Sequence, residues 1–299
     1  MPASDVSLWK MNHSMVRVKD PVRTIGFYRK LGMVQIDKLV MSDFGFDLYF
    51  LAFDNDAASA GKLRSDHQGL LELTHNYGTE TNDAYTVANG NDEPHLGFEK
   101  LGLTVKDLSQ TLAQLRDIPF RIAKESADGK PAVAVVQDPD GYYVELTQGA
   151  SSTLNSVGLR IKDPKVSLPW YEDSLGMKVL KTLEESDRTT YWVGYIDEAP
   201  ERAVFEREGL LKLIWIHGSE LKEGQVYHNG NAEPQGFGHL ALSTDDITAA
   251  CEYLEGKNVE FKKRLVDGKL KSIAFILDPD GYWFEIIQNA RIKEPLGVQ

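Results

Sequence analysis

Nearly the whole chain is written twice. VRVKDP (16 to 21), LGM (31 to 33), GLLEL (69 to 73), NGN (89 to 91) and QDPDGYYVEL (137 to 146) return in the same order, about 140 residues later. Their second versions are LRIKDP (159 to 164), LGM (175 to 177), GLLKL (209 to 213), NGN (229 to 231) and LDPDGYWFEI (277 to 286). Landmarks kept in order at a nearly constant offset mark a duplication, and two copies at so long a period exclude a solenoid. The copies must therefore share one fold. GASST, residues 149 to 153, is the most linker-like stretch between them, which sets module one at 11–149 and module two at 154–290.

Within a module the pattern alternates strand, helix and strands. His13 to Val18 reads as a strand that stops at Asp20-Pro21, where proline ends pairing and suits a first helical turn. Val22, Ile25, Tyr28 and Leu31 then suggest a helical stripe ending at Gly32. Residues 46 to 53 and 70 to 74 read as strands. The cycle restarts with a strand at Leu101 to Val105, a helix marked by Leu108, Leu112 and Leu115, and strands at 132 to 137 and 142 to 147 around the Asp138-Pro-Asp-Gly141 turn. The expected fold class is α+β, with two tandem modules that are each a pair of βαβββ units.

Composition narrows the partners. A chain of 299 residues, 42% hydrophobic, has enough apolar material for two cored domains. Its 33 Lys+Arg against 45 Asp+Glu give a net charge of −12, which repels nucleic acid and anionic membranes, and no basic run offsets it. The start MPASDVSLWK does not read as a signal peptide, and no window approaches a membrane span. The lone Cys251 excludes an internal disulfide and fits a reducing cytosol. We find no GxSxG, CxxC, Walker or dinucleotide fingerprint.

Superposing the copies exposes the chemistry. Imidazoles and carboxylates in strand bodies stand out: His13, Glu72 and Glu145 in the first copy, His239 and Glu285 in the second. Their counterparts differ. His13 aligns with Ser156, Glu72 with Lys212 and His239 with Lys100, whereas Glu145 and Glu285 match each other. His67, His75, His95, His217 and His228 are read as structural histidines, and Leu108, Leu112 and Leu115 as core.

NHSMVRVKDP, LELTHNYGTE, NGNAEPQGFGHLAL and DGKLKSIAFILDPDGYWFEI resemble the signature stretches of glyoxalase I, the lactoylglutathione lyases of the vicinal oxygen chelate superfamily, over roughly residues 11 to 290. That family comprises homodimers of one module and single chains, known in fungi, with two modules fused; this chain resembles the fused form. In the family, two ligands of each metal site come from one module and two from its partner. Carried over, the rule gives one complete set, His13, Glu72, His239 and Glu285, and one degenerate set, Ser156, Lys212, Lys100 and Glu145. Two ammonium groups in place of a carboxylate and an imidazole would repel a cation there. A Lys–Glu145 ion pair is expected instead.

The resemblance implies a metal-dependent isomerisation of the glutathione–methylglyoxal hemithioacetal to S-lactoylglutathione through an enediolate. Glu285 is the implied main base, with Glu72 serving the opposite face. Arg17, Asn76, Lys263 and Lys269 match residues that contact glutathione in the family, while Gln235 stands where many dimeric members carry arginine and Ile216 replaces Asn76 in the degenerate half. One divalent ion per chain is implied. Zinc is favoured over nickel, because the longer loops around 54 to 68 and 76 to 90 resemble the zinc-type branch. A monomer is expected, since fusion supplies the contact that dimers use. The alternatives are an extradiol dioxygenase, which would draw its ligands from one module, and a non-catalytic small-molecule-binding relative, which lacks the metal set.

Overall fold

A computed structural model describes residues 4–53, 62–125, 131–196 and 203–290. In chain order the elements of the first copy are β1 (Lys10–Arg17), α1 (Pro21–Lys30), β2 (Val34–Met41), β3 (Phe46–Ala52), β4 (Leu70–Asn76), β5 (Phe98–Val105), α2 (Leu108–Gln114), β6 (Phe120–Glu125), β7 (Pro131–Gln137) and β8 (Tyr143–Gln148). The second copy follows with β9 (Thr153–Ile161), α3 (Pro164–Leu175), β10 (Lys178–Glu184), β11 (Arg188–Gly194), β12 (Leu210–Ile216), β13 (Phe237–Thr244), α4 (Ile247–Gly256), β14 (Phe261–Lys263), β15 (Ile273–Leu277) and β16 (Trp283–Gln288). The βαβββ unit thus occurs four times.

Helix starts are set by one local device. Asp20, Asp107, Asp163 and Asp246 each accept backbone N–H bonds of the first turn, and Pro21 and Pro164 occupy positions whose N–H would have no helical partner. The α1 stripe departs from the expected one. Val22 is 79% exposed, whereas Pro21, Thr24, Ile25, Phe27 and Tyr28 are buried. A strict three-residue repeat falls behind the 3.6-residue helical turn, so its first member rotates off the buried face.

The sheets cut across the sequence copies. One eight-stranded sheet has the order β14-β15-β16-β13-β1-β4-β3-β2, and the other runs β10-β11-β12-β9-β5-β8-β7-β6. Each joins a half of one copy to a half of the other, through the antiparallel pairs β1–β13 and β5–β9. Phe98 and Phe237, equivalent residues entering these seam strands, stack at 5.2 Å between ring centres. The arrangement places β16, β13, β1 and β4 side by side in the first sheet. β2 and β6 were not foreseen: their side chains are mostly exposed, which leaves little apolar alternation to read.

Candidate metal centre and active site

Four neighbouring strands deliver the four expected ligands to one patch. His13 lies on β1, Glu72 on β4, His239 on β13 and Glu285 on β16, and all are at most 9% exposed. His13 Nε2 is 3.0 Å from Glu72 Oε2, 3.3 Å from Glu285 Oε2 and 3.3 Å from His239 Nε2. Among the described residues, His13, His239 and Glu285 form a group whose ligand atoms all lie within 4.8 Å of one another. Glu72 stands outside that trio, against His13. Phe50 and Phe275 flank the imidazoles edge-on, supplying dry walls.

This donor set fits a divalent cation. Two nitrogens and carboxylate oxygens converge with few other partners, and the two carboxylates match a +2 charge. Electrostatics point the same way. Burial disfavours a charge on His13, but Glu72 and Glu285 outweigh it and raise its pKa to about 9, while burial keeps His239 below its ordinary value. With its pKa raised in this way, His13 of the metal-free protein is expected to carry a proton near pH 7, its charge facing the two carboxylates. Because the folded pKa lies above the ordinary 6.5, that proton stabilises the fold fully below about 6.5, and the contribution is lost as pH rises through about 9. The thermal midpoint of stripped protein should fall over that window while loaded protein stays level. Loading near pH 7 should release about one proton, read from the buffer dependence of the binding enthalpy.

The degenerate set also assembles. Glu145 sits between Lys100, at 2.8 Å, and Lys212, with Lys100 also 3.7 Å from Glu99 and Arg188 bonded to Glu99. The sequence suggested one lysine on Glu145, and both reach it. Burial would raise the Glu145 pKa, but the two ammonium groups lower it to about 2. Ser156 Oγ, in the place of the His13 ring, is buried with no hydrogen-bond partner among the described residues. Strand pairing fixes the alignment, because Lys100 faces Gly158 as His239 faces Met15.

The expected glutathione contacts are placed less simply. Arg17 donates to the carbonyls of Gly230, Gly236 and Phe237 and to Asn231 Oδ1 at 2.9 Å. Arg160, its twin beside the degenerate set, holds Gly90, Gly97, Phe98 and Asn91 in the same manner. Arg17 is thus first a clamp on the loop of the other copy. Lys263 donates to the carbonyls of Arg264, Leu270 and Ile273, so its ammonium pins its own loop. Lys269 is exposed in that loop, Asn76 ends β4, and Gln235 bonds Asn231 O at 3.2 Å. The remaining histidines have local engagements: His75 with Glu80, His217 with Thr189, and His228 Nδ1 accepting from the Gly230 N–H beside the His95 ring.

Comparison with known proteins follows this geometry. The family model described as Glyoxalase/Bleomycin resistance protein/Dioxygenase superfamily matches residues 10–146 and again 153–286. A Schizosaccharomyces pombe protein named lactoylglutathione lyase is 40% identical over 301 residues, spanning 96% of this chain and 98% of that protein. Glyoxalase I of Saccharomyces cerevisiae is 38% identical over 305 residues, spanning 94% and 93%. The crystal structure of glyoxalase I from Zea mays superposes with a TM-score of 0.73 at 26% identity, over 94% of this chain and 93% of that one.

Proposed function

The chain belongs to the Glyoxalase/Bleomycin resistance protein/Dioxygenase superfamily, and from that premise we propose that it is a lactoylglutathione lyase with one working site per chain. The carrying observation is the buried convergence of His13, His239 and Glu285, with Glu72 adjoining, in a chain 40% identical over nearly its full length to a lactoylglutathione lyase. The two family matches support modules at 11–149 and 154–290.

His13, Glu72, His239 and Glu285 would hold a divalent ion, zinc before nickel; part of the longer loop that favours zinc, 54–61, lies outside the described residues. When bound, the ion supplies positive charge against two adjacent substrate oxygens. Glu285 takes the proton from C1 of the hemithioacetal, and the C–H pair forms the C1=C2 bond of the enediolate as the C2 carbonyl pair moves onto its oxygen. Glu285 then returns the proton to C2 through the C1=C2 pair as a C1 oxygen pair forms the thioester carbonyl, the C1 hydroxyl proton passing to the C2 oxygen. No oxidant is consumed. Glu72, on the strand across β1 from β13 and β16, would serve the opposite substrate face. The phenylalanine walls keep water from competing for the proton. Ligands drawn from both copies count against a dioxygenase that takes its set from one.

A coupled absorbance assay with glutathione and methylglyoxal tests the reading directly, and turnover that follows metal loading is the expected result. Inactivity of loaded protein with this pair, alongside turnover of a catechol, would refute it. Metal analysis should give one ion per 299-residue chain, because the Lys100–Glu145–Lys212 cluster already carries two positive charges against one negative. A stoichiometry near two would mean that the degenerate set binds metal.

Arg17, Asn76, Lys263 and Lys269 are assigned to glutathione, Arg17 and Lys263 in addition to their loop contacts. Arg17→Ala should raise KM by roughly tenfold, the order expected for one lost charge-assisted contact, and should also lower the thermal midpoint. Arg160→Ala isolates the clamp, lowering the midpoint and sparing KM. Among the described residues no helix is long and apolar enough to cross a membrane. A cytosolic monomer fits a reduced, buried Cys251 and a fusion that already pairs both copies within each sheet.

A further inference from the structure

Adjacent residues of a regular strand point to opposite faces, yet Asn12 and His13 are hydrogen-bonded side chain to side chain, Asn12 Oδ1 lying 2.7 Å from His13 Nδ1. A bulge makes this possible. The pairing of β1 with β13 steps from Met11–Leu242 to His13–Ala241 and leaves Asn12 as the extra residue. Asn12 is fully buried, and its amide nitrogen donates to Arg64 O at 2.9 Å and His67 O at 2.8 Å. Two carbonyl acceptors identify that atom as nitrogen, so the atom facing His13 is the amide oxygen. An oxygen acceptor requires Nδ1 of His13 to carry hydrogen.

We infer that Asn12 is a positioning residue: it locks His13 with Nδ1 protonated, so that only Nε2, the atom facing Glu72, Glu285 and His239, can ligate metal. This rests on the metal-site reading above. The duplication supplies its control. β9 carries the same bulge, skipping Asn155 between Leu154 and Ser156, and Asn155 donates to Val204 O and Arg207 O, the equivalents of Arg64 O and His67 O. There the ring is replaced by Ser156, whose hydroxyl makes no hydrogen bond among the described residues. The amide nitrogen's loop-pinning task therefore recurs in both copies, whereas the oxygen's task exists only where an imidazole does. Residues that orient a ligating imidazole change metal affinity by roughly 10–100-fold when removed.

The test pairs Asn12→Leu with Asn155→Leu and uses Zn2+ as a diamagnetic probe. Both variants should lower the metal-free thermal midpoint, because each loses the same two carbonyl contacts, and Asn12→Leu should lower it further, because it also leaves the buried His13 Nδ1–H without its acceptor. Only Asn12→Leu should weaken Zn2+ retention against a competing chelator, by about 10–100-fold. Nitrogen-15 NMR of the native zinc-loaded protein should show His13 protonated at Nδ1 and coordinated through Nε2, a readout that stands even if Asn12→Leu fails to fold. Coordination through Nδ1, or equal zinc retention by both variants, would overturn the inference while leaving the metal site intact. Failure of the native protein to retain zinc at His13 would overturn both.

Discussion

Glu285→Gln should abolish most turnover, lowering kcat by roughly 10²–10⁴-fold, the usual contribution of a positioned acid–base group, with KM changed far less. The amide keeps an oxygen that can face the ion, so metal is partly retained and the loss belongs to proton transfer. Steady-state kinetics on protein of measured metal content separates the two. Glu145→Gln, the same substitution at the equivalent strand position, should leave kcat near native. Near-native turnover in loaded Glu285→Gln would move the base elsewhere, with Glu72 the first alternative.

Glu145→Gln should instead act on stability. Its side chain is 16% exposed between Lys212 at 11% and Lys100 at 23%. Removing this carboxylate leaves Lys212 without its acidic partner and Lys100 with only the more distant Glu99, at 3.7 Å, and breaking a largely buried pair in this way costs about 3–5 kcal/mol. Linkage gives a similar figure. A folded pKa of about 2 against an ordinary 4.5 corresponds to about 3 kcal/mol, present above pH 4.5 and lost as pH falls toward 2. Denaturant midpoints measured down that acid limb should slope in native protein and flatten in Glu145→Gln. Replacing Lys100 and Lys212 with Met and Glu145 with Leu together should recover much of the loss, because a buried ion cluster and an apolar packing of similar volume are close in energy. A triple variant less stable than Glu145→Gln would show that the cluster contributes more than the charges it neutralises.

Much of this was legible in the sequence because duplication compares each residue with its own twin. The alignment of Lys100 with His239 needed only the NGN landmarks and the Gly-Phe pairs that follow them, Gly97-Phe98 and Gly236-Phe237, and the seam strands pair in that register. Other features were hidden for physical reasons. Edge strands β2 and β6 bury too little to impose alternation on their sequences. The guanidinium of Arg17 and the ammonium of Lys263 point to carboxylates when read as types, but their nearest acceptors are backbone carbonyls, which every residue possesses. Asn12 could not be paired with His13 from spacing, since a bulge reverses the strand's alternation at that point.

The crossing of the sheets bears on how the chain is made. His13 must meet His239 across 226 residues, and β1 cannot pair with β13 until nearly the whole polypeptide has left the ribosome. Until then the first four strands expose an open row of amides and carbonyls on β1, the kind of edge to which a stray strand can add. The second sheet can close earlier, as its final strand in sequence is β12. Synthesis thus allows the half with the degenerate set to close before the half with the proposed ligands, and a chain stopped short of β13 has a finished second sheet but only His13 and Glu72 of the four. Late long-range closure of this kind slows folding and lengthens the interval in which a quality-control factor can recognise the nascent protein.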